Sequence, residues 1–217
     1  MVTPLLWALA AIVVVALLFV LELRRELKAA YTPTTGERID VSLRPNLALL
    51  IIDMQEDFTT VGGRYGWDEA YLKARIEAID IMAAKAKKAD IPVIAIRHVY
   101  RAPLIRLMIR LFGEGRGIPG SRGLGLMRLP VEPDFEVLKA RSDSFSSPEL
   151  EGYLAAKQIG TLLLTGLDGS YCVQATANGA LNRGYRVEIV EDALLSRDQA
   201  DWGRQVAALK GRGAVLI

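Results

Sequence analysis

Leu47–Asp53 reads LALLIID, and that stretch decides how the rest of the chain is read. Six apolar residues run together without polar alternation, which is the pattern of a strand buried on both faces. Pro92–Arg97, PVIAIR, repeats the pattern. So does Thr161–Thr165, TLLLT. Phe135–Leu138 reads as a short strand, and Arg186–Val190 and Ala214–Ile217 as two more. Between them lie helical segments. Asp68–Lys88 carries Ile76, Ile79 and Met82 on one side. Ser147 and Pro148 start a helix as N-cap and first-turn proline, running to about Gln158 with Gly160 as its stop. Ser170–Arg183 reads as a helix closed by Gly184, and Arg197–Gly211 as another. Strands separated by helices predict right-handed crossovers. The expected fold is a three-layer α/β/α domain around a roughly six-stranded parallel sheet. Chemistry in such sheets gathers at the carboxyl ends of the strands.

The chain has 217 residues, 51% of them hydrophobic and 24% charged. That composition supports one domain with a sizeable core and excludes disordered and low-complexity classes. A net charge of +2 gives no global drive toward nucleic acid. The single cysteine excludes an intrachain disulfide and a cysteine-cluster zinc site. The single histidine excludes any metal site needing two.

Met1–Leu21 carries no charge. Residues 4–21 are a nearly pure apolar run, roughly 27 Å long as a helix, enough to cross a bilayer core. Arg24, Arg25 and Lys28 follow it and no Lys or Arg precedes it. The positive-inside bias then places the rest of the chain in the cytoplasm. A cleaved signal peptide is the alternative, but the run lacks a positive leader and a small-x-small cleavage site. The expected organisation is a single-pass membrane anchor at 1–24, a tether at 25–45 containing Pro33, Gly36 and Pro45, and a catalytic domain at 46–217.

Three strand ends carry reactive side chains. Asp53 follows the first strand, where partial desolvation would raise its pKa and make it a usable base, unless it merely caps a turn. Lys139 follows FEVL and, taken alone, reads as a solvated lysine. Cys172 lies just inside the helix after TLLLTGLDGSY. It is either a small buried hydrophobe or a nucleophile, its thiolate favoured by the helix end and a nearby lysine.

ALLIIDMQEDF, KARSDSF and TGLDGSYCVQATANGALNRGYRVEIVEDA occur in this order. Together they resemble the isochorismatase-like cysteine hydrolases, a group that includes nicotinamidases and N-carbamoylsarcosine amidase. The resemblance covers about residues 46–217. The matching positions are Asp53, then Lys139 with Phe145 six residues on, then Gly166, Cys172, Val173, Thr176 and Ala177. It implies a triad in which Cys172 attacks a carbonyl, Asp53 moves the proton, and Lys139 lowers the thiol pKa and orients both. It implies a non-proline cis peptide at Leu167–Asp168 and an oxyanion hole from the backbone N–H groups of Asp168 and Cys172. Phe58, His98, Phe145 and Tyr171 are the expected substrate-binding residues.

The chain departs from the pattern at Ser170–Tyr171, Asp168 and Asp143, which bears on the substrate more than on the triad. With His98 as the lone histidine, no metal or other cofactor is expected. The expected substrate is a small-molecule amide, and the expected assembly a homo-oligomer, as among relatives. Vinyl-ether hydrolysis, which does not need the cysteine, and an idle membrane-tethered binding module are the alternatives.

Residues 101–128 hold six Arg and one Glu. Within them LIRLMIRLF, Leu104–Phe112, sets Arg106 and Arg110 on one helix face. This segment is read either as a lid or subunit-contact helix, or as a membrane-surface helix. Gly115, Gly117 and Gly120 spell G-x-G-x-x-G but follow a helix and contain Pro119, so a dinucleotide loop is rejected. Specificity is expected in the loop after the second strand and around residues 58–66.

Overall fold

In the computed structural model, residues 4–61, 65–127 and 129–217 are described. The first three residues of the expected anchor, three positions of the 58–66 segment and Arg128 lie outside the described residues. Helix α1 covers Pro4–Tyr31. Strand β1 (Asn46–Ile52) is followed by a short turn of helix, α2 (Glu56–Thr59), and by α3 (Glu69–Lys88). Next come β2 (Val93–His98), α4 (Pro103–Phe112), β3 (Phe135–Lys139) and α5 (Pro148–Ala156). The chain continues with β4 (Ile159–Leu167), a π-helical turn at Gly169–Val173, and α6 (Gln174–Asn182). It closes with β5 (Arg186–Leu195), α7 (Gln199–Gly211) and β6 (Val215–Leu216).

The six strands form one sheet in the order β3-β2-β1-β4-β5-β6, and every pairing is parallel. Alternate residues of β1 serve two cores. Ala48, Leu50 and Ile52 pack with α5, α6 and α7 through Leu150, Ala177 and Trp202. Leu49 and Ile51 pack with α3 through Leu72, Ile79 and Ala83. Period-2 geometry therefore makes both faces of an all-apolar strand useful. Chain order departs from β1 in both directions, to β2 on one side and β4 on the other, so the crevice at their carboxyl ends is the switch point of the sheet.

Three boundaries differ from the sequence reading. The helix starting at Pro148 stops at Ala156, because Gln158 has positive φ (52°). Gly160 is therefore not its stop but part of β4, where a Cβ would collide with the carbonyl of Arg44. The expected α-helix from Ser170 opens instead as a π-turn, with Val173 N–H donating to the Asp168 carbonyl at 3.1 Å.

Helix α1 passes Leu21 without a break and ends at Tyr31, so residues 25–31 are helical where a tether was expected. From Leu6 the helix is long and apolar enough to cross a membrane, and its most apolar window is not buried by the rest of the protein. Its last turns do touch the domain. Glu26 accepts from the N–H groups of Leu104 and Ile105, both at 3.0 Å, and Ser142 N–H donates to the Ala30 carbonyl at 2.8 Å. The segment after it is extended but docked. Thr34 donates through its N–H and its hydroxyl to Asp143 Oδ2, each at 2.7 Å. Buried Arg183 donates to the carbonyls of Thr34 and Thr35 at 3.2 and 3.0 Å.

Candidate active site

Four strand ends deliver groups to the crevice. Asp53 directly follows β1, with φ of 55° turning the chain out of the sheet. His98 ends β2 and Lys139 ends β3, and the two are paired in register. Gly166, near the end of β4, has φ of +101°, and a Cβ there would meet the backbone N of Ile52 at 2.7 Å. Only glycine lets β4 lie this close to the strand that carries Asp53. The Leu167–Asp168 peptide is cis, and the π-turn that follows presents Cys172.

The three expected catalytic residues meet. Lys139 Nζ donates to Asp53 Oδ2 at 2.8 Å, and both side chains are buried. Lys139 Nζ also lies 3.2 Å from His98 Nδ1. An ammonium has only donors, so Nδ1 accepts and the ring proton sits on Nε2. Burial and the Lys139 charge hold His98 well below its ordinary pKa, so it is neutral. Cys172 interacts with both Asp53 and Lys139, and its sulfur lies within 4.8 Å of an Asp53 oxygen and a His98 nitrogen. The ammonium thus donates to Asp53 and His98, and its charge acts on the Cys172 thiol beside them. Asp53 Oδ1 is buried without a hydrogen-bond partner and is the free acceptor of the group.

The electrostatics correct one expectation. Burial and the neighbouring Asp53 carboxylate push the Cys172 thiol up to about 12, outweighing the downward pull of Lys139. Helix end and lysine together do not make a resting thiolate here. Burial also raises Asp53, against the pull of Lys139. Lys139 loses from its own burial but gains more from Asp53 and Cys172, so it stays charged. Removing one member of such a buried ion pair costs roughly 3–5 kcal/mol of stability.

These groups open into a cavity of about 380 Å³, within the usual size of small-molecule sites. Of the expected substrate-binding residues, Phe58, His98 and Tyr171 line it. Phe145 does not: it is core, between the Tyr185 ring at 5.4 Å and the Arg183 guanidinium at 4.7 Å. Sequence reasoning missed Tyr100, Arg116 and Arg197, and with them Leu23, Leu27 and Tyr31 of α1. Tyr100 stands two residues beyond His98, and Arg197 just after β5, so strand-end position was a usable signal for both. Nothing in the sequence points α1 at the site.

The glycine-rich loop wraps a carboxylate, not a phosphate. Asp57 accepts from Gly117 N–H at 2.7 Å and from the Ser121 hydroxyl. Gly117 has φ of +71°, and a Cβ there would strike the Phe58 ring at 2.8 Å.

Among the described residues, Asp53, His98 and Cys172 could offer ligand atoms to a metal ion. The Lys139 ammonium already occupies the contacts of that trio, and a second cation there would meet it at close range. The set does not fit a metal while Lys139 is charged.

A carboxylate, a lysine and a cysteine thus stand together at the switch point of the sheet. Residues 47–217 match the isochorismatase domain model, and the chain belongs to that family. It is 27% identical to streptothricin hydrolase of Streptomyces noursei over 180 residues, 81% of this chain and 63% of that protein. It is 27% identical to the isochorismatase family protein YaaI of Bacillus subtilis (strain 168), over 71% of this chain and 83% of that one. Among solved structures, N-carbamoylsarcosine amidase from Thermoplasma acidophilum superposes with a TM-score of 0.65 at 25% identity, covering 79% of this chain and 95% of that one. An isochorismatase family protein from Desulfovibrio vulgaris superposes with a TM-score of 0.69 at 25% identity, covering 79% and 93%.

Proposed function

We propose that this hydrolase is a membrane-anchored amidase that opens a C–N bond through a thioester on Cys172. The observation that carries the reading is the meeting of Asp53, Lys139 and Cys172, with Asp53 and Cys172 lining the cavity and Lys139 behind Asp53. A thiol near 12 supplies almost no thiolate at neutral pH, so its proton must leave as the sulfur attacks. Asp53 is the acceptor, held above its ordinary range by burial and therefore a better base than an exposed carboxylate. As the S–C bond forms, the amide carbonyl electrons move onto oxygen, where the N–H groups of Asp168 and Cys172 are assigned to receive them. Collapse breaks the C–N bond, and Asp53 returns the proton to the leaving amine. Asp53 then takes a proton from water, the hydroxyl adds to the thioester, and the acid leaves while the proton returns to sulfur. Lys139 stays charged throughout and holds both partners.

The likeness to N-carbamoylsarcosine amidase supports the choice of an amide bond. Anchoring rests on the uncharged run to Leu21 and on the apolar, unburied α1. The basic residues Arg24, Arg25 and Lys28 after it support a cytoplasmic side for the catalytic domain.

Intact-mass measurement after incubation with a panel of amides tests the chemistry. The expected result is an acyl adduct on the sole thiol, absent in Cys172→Ala. Hydrolysis that survives Cys172→Ala would overturn the thioester route.

A further inference from the structure

We infer that the amide cleaved carries a long apolar chain, which lies between α1 and α4 and enters from the lipid bilayer. The inference rests on the amidase and anchor readings above and adds the substrate class.

The wall of the catalytic cavity is not built by the α/β layers alone. Leu23 and Leu27 of α1 and Ile105, Met108, Ile109 and Phe112 of α4 supply a side of it. These six side chains offer almost nothing to hydrogen-bond, so what they hold is apolar. Their place along α1 says where that wall begins. The uncharged run ends at Leu21, and Leu23 is two residues on, about 3 Å along the axis. A membrane core consumes about 20 helical residues, so a span at 4–21 sets Leu23 at the bilayer surface. Tyr31 is eight residues further, about 12 Å, and its ring packs at 5.9 Å against Tyr171, the neighbour of Cys172. One cavity therefore runs from the membrane plane to the nucleophile, over the length of an extended chain of roughly eight to ten carbons.

The outer face of α4 suits the same setting. Phe112 is 73% exposed at the cavity mouth, with Leu111 at 63% and Leu107 at 42% beside it. Arg110 is exposed on the same helix. An apolar face edged by arginine is the composition of a helix lying in the headgroup region. Glu26 ties the two walls together by taking the N–H groups of Leu104 and Ile105, so the groove between α1 and α4 is a built feature.

The test uses the full chain in phosphatidylcholine nanodiscs. The probes are acyl p-nitroanilides from acetyl to dodecanoyl and N-alkyl acetamides of matching length. kcat/KM is expected to rise in one series by about threefold per added methylene until the groove is filled. Ile109→Trp should flatten the rise, the long-chain compounds losing far more of their kcat/KM than the acetyl compound. Dansyl-undecanamide should bind Cys172→Ala nanodiscs, and that binding should be lost in the Ile109→Trp, Cys172→Ala double variant in the same lipid. Should Ile109→Trp misfold, Phe112→Asp at the exposed mouth replaces it, with the same expectation. Cleavage independent of chain length, with equal dansyl binding by both proteins, overturns the inference and leaves the amidase reading standing. Groove-dependent dansyl binding without acylation by any probe overturns the amidase reading, and with it the cleaved long-chain amide, and leaves only a groove that binds an apolar chain. Neither binding nor acylation overturns both.

Discussion

Asp53 and Cys172 are acids that burial holds above their ordinary ranges, with one ammonium between them. The arrangement stores the reactive proton on sulfur and keeps an unpartnered carboxylate oxygen ready for it. The proposed route requires Asp53 ionised, so kcat/KM is expected to fall as pH drops through its folded pKa. Because that pKa is raised, half-activity is expected above the ordinary aspartate value of about 3.9. Lys139→Met removes the cation that pulls Asp53 down, so the acid limb should move to higher pH. A pH–rate profile checks both, and a limb that stays put in Lys139→Met would exclude Asp53 as the titrating base. Asp53→Asn should cost about 10²–10⁴ in kcat, the usual worth of a general base.

At the level of elements, α4 depends on a cap from outside itself. Its N-cap is Ala102, which has no side-chain acceptor, and Pro103 opens the first turn. The orphan N–H groups of Leu104 and Ile105 go instead to Glu26 of α1. A carboxylate at a helix N-terminus also meets the positive end of the dipole. Glu26→Ala should therefore cost about 1 kcal/mol, the worth of a cap. Amide exchange at Leu104 and Ile105 should quicken by roughly fivefold, with β1 and β4 amides unchanged. Equal exchange in both proteins would show that α4 is held by Ile105 and Ile109 alone.

Across the whole molecule, the segment joining α1 to the sheet is strapped down. Arg183 reaches the Thr34 and Thr35 carbonyls and pairs with Glu151, Asp143 takes Thr34, and Gly36 lies so close to the guanidinium that a Cβ would sit 2.7 Å from Nε. That strap sets α1 against the catalytic cavity. Arg183→Ala should lower stability by about 2–3 kcal/mol, since it removes several bonds to one charged donor. It should also open residues 32–40 to limited proteolysis. A cleavage rate equal to wild type would mean that the contacts of α1 alone hold the strap.

The sequence by itself determined the layers and three chemical positions. Apolar runs without alternation can only be doubly covered strands, and a reactive residue directly after such a run must stand at the carboxyl edge of the sheet. That logic put Asp53, His98, Lys139 and Cys172 at strand ends, the resemblance singled out Lys139 and Cys172 among them, and position would also have found Tyr100 and Arg197. It failed for Phe145, because spacing from Lys139 says nothing of which face a turn presents, and packing against Arg183 and Tyr185 turned the ring into the core. It also misjudged the thiol, because pKa follows from burial and from a carboxylate distant in sequence. That α1 lines the cavity was decided by the tertiary structure alone. An apolar helix reads the same whether its end stands free or is docked, and only the long-range bonds from Glu26, Ala30 and Thr34 distinguish the two.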